Sequence, residues 1–251
     1  MDLGLKGKVA LVTAASRGIG QAIARQLVDE EAVVAASART PIEAEGQMSY
    51  PTDLLDDEAV ERLIPDVIAA HGALDILVVN TPGPKIGPVL DFGPTDWDTA
   101  YAQLVRPAVQ LATAGARAMA ANGGGSILFL TSTWVKQPAP GGALSASMRS
   151  LLSALAKQMS LELAEQGVRV NQLMPGATGT DRMEDIVSAK SAANGTTRED
   201  EIARVVSAIP LGRWAEPEEI ARAAAYLVSP AAAFVTGETL AVDGGAIRST
   251  L

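Results

Sequence analysis

The sequence predicts an open, doubly wound parallel α/β sheet, a three-layer α/β/α arrangement in one domain, and three observations carry that prediction. Short apolar runs recur along the chain at residues 9–12, 33–37, 74–79, 126–130, 168–174 and 239–242. Their length and near-continuous apolar character suit strands buried on both faces. Between them apolar residues recur at helical spacing, beginning with Ile19, Ile23 and Leu27. Finally, the first strand runs straight through a turn of small residues into that first helix, the strand-turn-helix order of a parallel α/β unit.

The turn between the first strand and first helix, Thr13-Ala-Ala-Ser-Arg-Gly-Ile-Gly20, sets the expected chemistry. Small residues let a backbone approach a pyrophosphate. The free N–H groups and positive dipole end of the helix favour its charge. Thr13, Ala15, Ser16, Arg17, Gly18, Ile19 and Gly20 are therefore candidate dinucleotide contacts, with Ala14 standing where a glycine is usual in such turns. At the end of the second strand a carboxylate would accept from a ribose 2′-hydroxyl and repel a 2′-phosphate. Ala38 stands there instead, with Arg39 beside it and Arg17 in the first turn, and two guanidiniums suit a 2′-phosphate. The expected cofactor is NADP rather than NAD.

The remaining elements follow in order. A third short strand precedes Pro51, and Asp53 is a candidate N-cap for a helix beginning near Asp56. That helix ends at His71-Gly72, where His71 is assigned a structural role at the helix C-terminus. The fourth strand leads into Asn80-Thr-Pro-Gly-Pro-Lys85, with Asn80 placed to tie neighbouring strands and Lys85 near the cleft mouth. One long helix from Thr95 to about Ala121 is expected, kinked near Gln103 by Pro107. The fifth strand runs into Thr131-Ser132 and a Pro/Gly-rich loop through Gly142. Residues 181–208 are polar and Ala-rich, with Asn194-Gly195 and Thr196-Thr197 breaking two helical pieces, and form a candidate substrate lid. Pro217 opens a last helix. Ala-rich faces near 151–163 and 220–227 are candidates for core or subunit contact.

Composition excludes several classes. The 251 residues carry a formal net charge of −9, which argues against a nucleic-acid surface. No Cys and a single His remove disulfides, thiolate catalysis and multi-His metal clusters, so no metal site is expected. No basic region followed by an apolar core opens the chain, and no apolar run approaches the ~20 residues that span a bilayer. No linker divides it. A single cytoplasmic domain over residues 1–251, acting on a small molecule, is the expectation.

Taken together, Thr13 to Gly20, Leu74-Asp-Ile-Leu-Val78, Val170-Asn-Gln-Leu-Met-Pro-Gly176, Ile209-Pro-Leu-Gly-Arg213 and Thr236-Gly-Glu-Thr-Leu-Ala-Val-Asp-Gly-Gly245 resemble the short-chain dehydrogenase/reductase family, in particular its 3-oxoacyl-(acyl-carrier-protein) reductase-like branch. The resemblance implies a Rossmann-like fold, a homotetramer, and a nicotinamide cofactor. It implies that Asp53 meets the adenine ring, that Pro175 and Gly176 line the nicotinamide side, and that Thr180 bonds the carboxamide. It also implies that Ser132 is the catalytic serine. The family's other catalytic positions fall on different residues: Leu104 for an asparagine, Ser145 for the tyrosine and Arg149 for the lysine. No tyrosine lies between Tyr101 and Tyr226. A serine hydroxyl is too short and too weak an acid to replace a phenol, so Lys136, if desolvated, is the expected substitute proton donor. Three readings follow: an NADP-dependent oxidoreductase with an atypical site, an NADP-binding pseudoenzyme that senses or pairs with a partner, and a non-redox dehydratase, cyclase or isomerase on the same scaffold. Trp134, Met183 and Ile186 suggest an apolar substrate pocket.

Overall fold

The structure, a computed structural model, describes residues 2–250. Its strands are β1 (Val9–Val12), β2 (Val33–Ala38), β3 (Gln47–Pro51), β4 (Ile76–Val79), β5 (Gly125–Leu130), β6 (Val168–Pro175) and β7 (Thr239–Val242). The helices are α1 (Gly18–Asp29), α2 (Asp57–His71), α3 (Pro94–Leu104), α4 (Arg106–Ala121), α5 (Ala143–Leu163), α6 (Asp181–Asn194), α7 (Arg198–Ser207) and α8 (Pro217–Val228). All seven strands join one sheet in the order β3-β2-β1-β4-β5-β6-β7, and every pairing is parallel. The chain winds one way from β1 to β3 and the other way from β4 to β7. That reversal opens a crevice at the carboxyl ends of β1 and β4, where such sheets bind ligands.

Strand alternation explains the two cores. Val9 and Leu11 of β1 face a layer with Leu63, Ile64 and Val67 of α2, Leu111 of α4 and Leu152 of α5. Ala10 and Val12 face the opposite layer, with Ile23 and Leu27 of α1 and Ile220 and Ala224 of α8. Successive residues point to opposite faces and both are covered, which is why the strands read as unbroken apolar runs. The Ala-rich face of α8 is therefore core: Ile220, Ala221, Ala224 and Ala225 are buried. On α5, Leu151 and Leu161 are exposed.

Two expectations change. The long helix predicted from Thr95 is two helices, α3 and α4, which meet at Val105. Pro107 lies in the first turn of α4, where its missing N–H would have no intrahelical partner, so breaking the helix costs less than bending it. Asp53 is not the cap of α2. The side chain of Asp56 accepts from the backbone N–H of Glu58 and Ala59, while Asp53 accepts from Leu55 N at 3.0 Å in the loop before it. His71 ends α2 before Gly72, and its Nε2 meets Tyr50 Oη at 2.8 Å, tying α2 to β3.

Candidate active site

The crevice at the β1/β4 switch point starts with the turn after β1. The cap residue of α1, Arg17, is extended and makes no side-chain hydrogen bond to the helix. The first N–H groups of α1 therefore have no side-chain acceptor, and an anion is their natural partner. Gly20 is required by close approach: a Cβ there would stand 2.4 Å from Ala14 O and 2.7 Å from Asn80 Nδ2. Ala14 holds φ +48, a left-handed angle in which a methyl side chain costs about 1 kcal/mol. Around it, Thr13 Oγ1 donates to Asn80 O at 2.7 Å and accepts from Asn80 N at 3.0 Å, and Asn80 Nδ2 donates to Ala14 O at 3.3 Å. The amide of Asn80 thus ties the β1 and β4 loops into one floor. Next to it the Thr81 hydroxyl is buried without a partner. An uncapped helix start, a backbone cradle that a Cβ would fill and an orphaned hydroxyl fit a dinucleotide.

At the end of β2, Ala38 is buried and Arg39 is exposed. Arg39 makes no ion pair among the described residues, and Arg17 lies 3.9 Å from Asp181 across solvent, too far to fix either group. Both guanidiniums are free for an incoming phosphate. Asp53 sits exposed at the end of β3.

On the far side of the crevice, Ser132 follows β5 and caps a short 3-10 turn, its Oγ accepting from Trp134 N at 3.2 Å. That bond uses a lone pair and leaves the hydroxyl proton to donate elsewhere. Trp134 packs on Gly142, where a Cβ would lie 2.5 Å from the indole. Ser145 and Arg149, one turn apart on α5, face inward together and are both buried. Arg149 Nε donates to Ser145 Oγ at 3.3 Å, and Nη1 donates to Leu130 O at 3.1 Å. Burial pushes the Arg149 guanidinium down to about 10, with the charge of Arg182 adding to the effect. It remains protonated at neutral pH. Leu104, at the end of α3, is fully buried and apolar, so it offers no group to order water.

Lys136 departs from its expected role. It ends the 3-10 turn after Ser132 and is exposed. The desolvation that would make a lysine ammonium an effective acid is absent there. Lys85 does not reach the cleft either; its Nζ pairs with Asp96 Oδ1 at 2.8 Å on the first turn of α3.

The segment after β6 closes over the crevice. Gly176 N donates to Val242 O at 2.9 Å, which fixes the turn after Pro175. Thr180 caps α6, its Oγ1 accepting from Met183 N, and its methyl packs against Gly18 of the pyrophosphate turn, 3.3 Å from where a Cβ would stand. Helices α6 and α7 break at Gly195, in the left-handed region at φ +64, and at the Thr197–Asp200 capping box. They are joined by Glu201, 3% exposed, which accepts from Thr196 Oγ1 at 2.6 Å, Asn194 Nδ2 at 3.0 Å and Arg204 Nη1 at 2.5 Å. Hydrogen bonds from Thr196 and then Asn194 hold its carboxyl below the usual range. A depressed folded value contributes stability that is present above the unfolded value and lost as pH falls through the folded one. Glu201→Ala at neutral pH is therefore expected to open residues 181–208 to proteolytic nicking. The unaltered protein should become equally susceptible as pH falls below the ordinary glutamate value of 4.5. Mass spectrometry of nicking sites decides this, and unchanged protection in the variant refutes the role given to Glu201.

The residue that sequence reasoning passed over is Arg182, in the first turn of α6. Its Nη2 donates to Pro84 O at 2.6 Å across the crevice, and its guanidinium lies on Gly83, where a Cβ would come within 2.2 Å of Nε. A signal was available: a cation in the first turn of a helix runs against the dipole, so some other partner must hold it.

These features define a doubly wound α/β protein with a crevice at its topological switch point, bordered by an uncapped helix start. Comparison with known proteins identifies the family. A family model described as enoyl-(acyl carrier protein) reductase matches residues 13–246. The chain is 32% identical to the 3-oxoacyl-(acyl-carrier-protein) reductase FabG of Vibrio harveyi, covering 97% of this chain and 98% of that protein. It is 34% identical to dehydrogenase/reductase SDR family member 4 of Bos taurus, covering 97% and 88% of the two chains. Among solved structures, L-sorbose reductase from Gluconobacter frateurii, complexed with NADPH and L-sorbose, superposes with a TM-score of 0.91 at 27% identity over 99% of this chain and 100% of that one. The chain belongs to the short-chain dehydrogenase/reductase family. No described helix is long and apolar enough to cross a membrane.

Proposed function

We propose that this protein is an NADP-dependent oxidoreductase that interconverts a carbonyl and a hydroxyl on a small molecule, using an atypical active site. The observation that carries the reading is the uncapped, Gly20-dependent turn at the start of α1, with Arg39 unpaired and Arg17 only loosely paired with Asp181 beside it, and Ala38 in place of a carboxylate. The likeness to two reductases, one of them solved with NADPH, supports it. When bound, the dinucleotide supplies a hydride. The chain itself would hold the pyrophosphate on α1, the 2′-phosphate on Arg17 and Arg39, the adenine beside Asp53, and the nicotinamide end against Asn80, Pro175, Gly176 and Thr180. Ser132 donates to the substrate carbonyl oxygen, where negative charge develops, and the Arg149 guanidinium adds positive charge beside it. Ser145 positions Arg149 through the 3.3 Å hydrogen bond. The resulting alkoxide takes its proton from water, since neither a phenol nor a desolvated lysine is at hand.

Titration calorimetry tests the cofactor assignment: NADPH is expected to bind at least about tenfold more tightly than NADH, a difference of about 1.4 kcal/mol. Arg39→Ala should remove most of that preference. Equal affinities for the two cofactors in the unaltered protein would overturn it. A second reading, an NADP-binding protein without turnover, is favoured by the buried, apolar Leu104; retained NADPH binding with no reduction of any carbonyl would select it. The exposed Leu151 and Leu161 on α5 support a homo-oligomer, in the family's manner a tetramer.

A further inference from the structure

Arg149 is 8% exposed and carries a full charge into the interior. Its neighbours are neutral: Ser145 Oγ and Leu130 O take two of its five N–H donors. No carboxylate pairs with it among the described residues. Buried charges are ordinarily paired, because the lost hydration is otherwise uncompensated. The nearest charged influence on Arg149 is a second cation, Arg182, which makes its protonation harder. Arg182 comes from a different element, the first turn of α6, and is parked on Pro84 O over Gly83. Asp185 partly offsets the charge of Arg182 and Arg17 adds to it, yet no carboxylate of the described residues lies within 4 Å of Arg182 either. Strands β4 and β5 pair side by side up to Val79 and Phe129, so Arg182 on Pro84 O beyond β4 and Arg149 on Leu130 O at the end of β5 bring two guanidiniums to neighbouring strand ends, in a chain whose net charge is −9.

The pyrophosphate turn does not account for Arg149, and although Thr180 and Asp181 bring Arg182 close to that turn, its guanidinium is directed onto Gly83 and Pro84 beyond β4. The pyrophosphate site lies at the end of β1, whereas Arg149 is fixed to the end of β5, and the sheet order places β4 between them. Two strand spacings set the sites about 10 Å apart. Ser132 follows two residues beyond the Leu130 carbonyl that Arg149 holds, at the same end of β5. An anion there belongs to the molecule whose carbonyl Ser132 would contact. We propose that the substrate carries a carboxylate close to its reacting carbonyl, clamped between Arg149 of α5 and Arg182 of α6. A carboxylate accepts pairs of N–H bonds from a guanidinium. It would relieve the repulsion between the two cations, and because Arg182 rides on α6, its arrival would hold the 181–208 segment in the closed position that the Arg182–Pro84 bond already gives it. Specificity for a keto acid over a neutral ketone follows. This deepens the function proposed above and rests on it.

The test is calorimetric binding of three short keto acids, 2-oxobutyrate, acetoacetate and 4-oxopentanoate, and of their methyl esters, to the protein with and without NADPH. At least one acid is expected to bind about tenfold or more tightly than its ester. Arg182→Met and Arg149→Met should each abolish that preference, while NADPH affinity changes less than about threefold. Arg149→Lys guards against a folding defect, since it keeps a charge at the site but not the paired donors; the acid preference should fall in it too. Esters binding as well as acids in the unaltered protein, or a preference surviving in the arginine variants, overturns the proposal. So does a parallel loss of NADPH affinity, which would assign the arginines to the cofactor. If NADPH does not bind at all, the proposed function fails, and the acid-against-ester comparison without cofactor still decides the clamp.

Discussion

Ser145→Tyr combined with Arg149→Lys is expected to raise the reduction of a simple, uncharged ketone by ~10²- to 10⁴-fold, the range that a positioned general acid contributes. The two positions are one turn apart on the inner face of α5, and their side chains already meet at 3.3 Å. A phenol at the first and an ammonium at the second would therefore lie side by side next to Ser132. An adjacent ammonium stabilises phenolate and lowers its pKa toward neutrality, which is what donating a proton to an alkoxide near pH 7 requires. Steady-state rates with NADPH check the result. No gain, in a variant that folds and binds NADPH as the unaltered protein does, rules out the missing phenol as the limitation. Brisk reduction of neutral ketones by the unaltered chain would show that a proton donor is already present.

Ser132→Ala carries the second large effect: a fall in kcat of ~10²- to 10³-fold, as when one donor to a developing oxyanion is removed. Cofactor affinity should change little, because Ser132 lies at the end of β5, away from the pyrophosphate turn. The hydroxyl also caps the turn through Trp134 N, and losing a cap costs about 1 kcal/mol of stability. Ser132→Asp separates the two roles, since its carboxylate can still accept from Trp134 N but has no proton to give the substrate. Unchanged turnover in Ser132→Ala would leave Ser132 as a capping residue alone.

The layout of the sheet was legible because burial on both faces leaves a simple trace: Val9 to Val12 had to be apolar throughout once α1 and α2 covered opposite sides. The tight turn after β1 was legible for a related reason, since a backbone approach such as that of Gly20 to Ala14 admits only glycine. Capping was harder. Asp53 and Asp56 both precede α2 with suitable side chains, and only the path of the loop decides which reaches the free N–H groups. The proline in the long helix showed where the backbone must yield, not whether it would bend or break. At the site, Ser145 and Arg149 were found by spacing, but nothing local showed that the guanidinium would be buried without a carboxylate. Lys136 failed as a candidate for the complementary reason: exposure is a property of the packed loop, and the loop leaves its ammonium in water.

The sequence by itself determined the succession of strands, the doubly wound sheet, the tight glycine turn after β1 and the absence of a tyrosine on α5, because each depends on residue type, spacing or backbone freedom within a short stretch. Only the tertiary structure decided that Arg182 of α6 reaches Pro84 O over Gly83, that Arg149 is buried without a carboxylate, that Glu201 locks α6 to α7, and that Lys136 stays solvated. Those outcomes depend on which charges are brought together and which are stripped of water, and electrostatic energy is set by distance and burial across the fold rather than by neighbours along the chain.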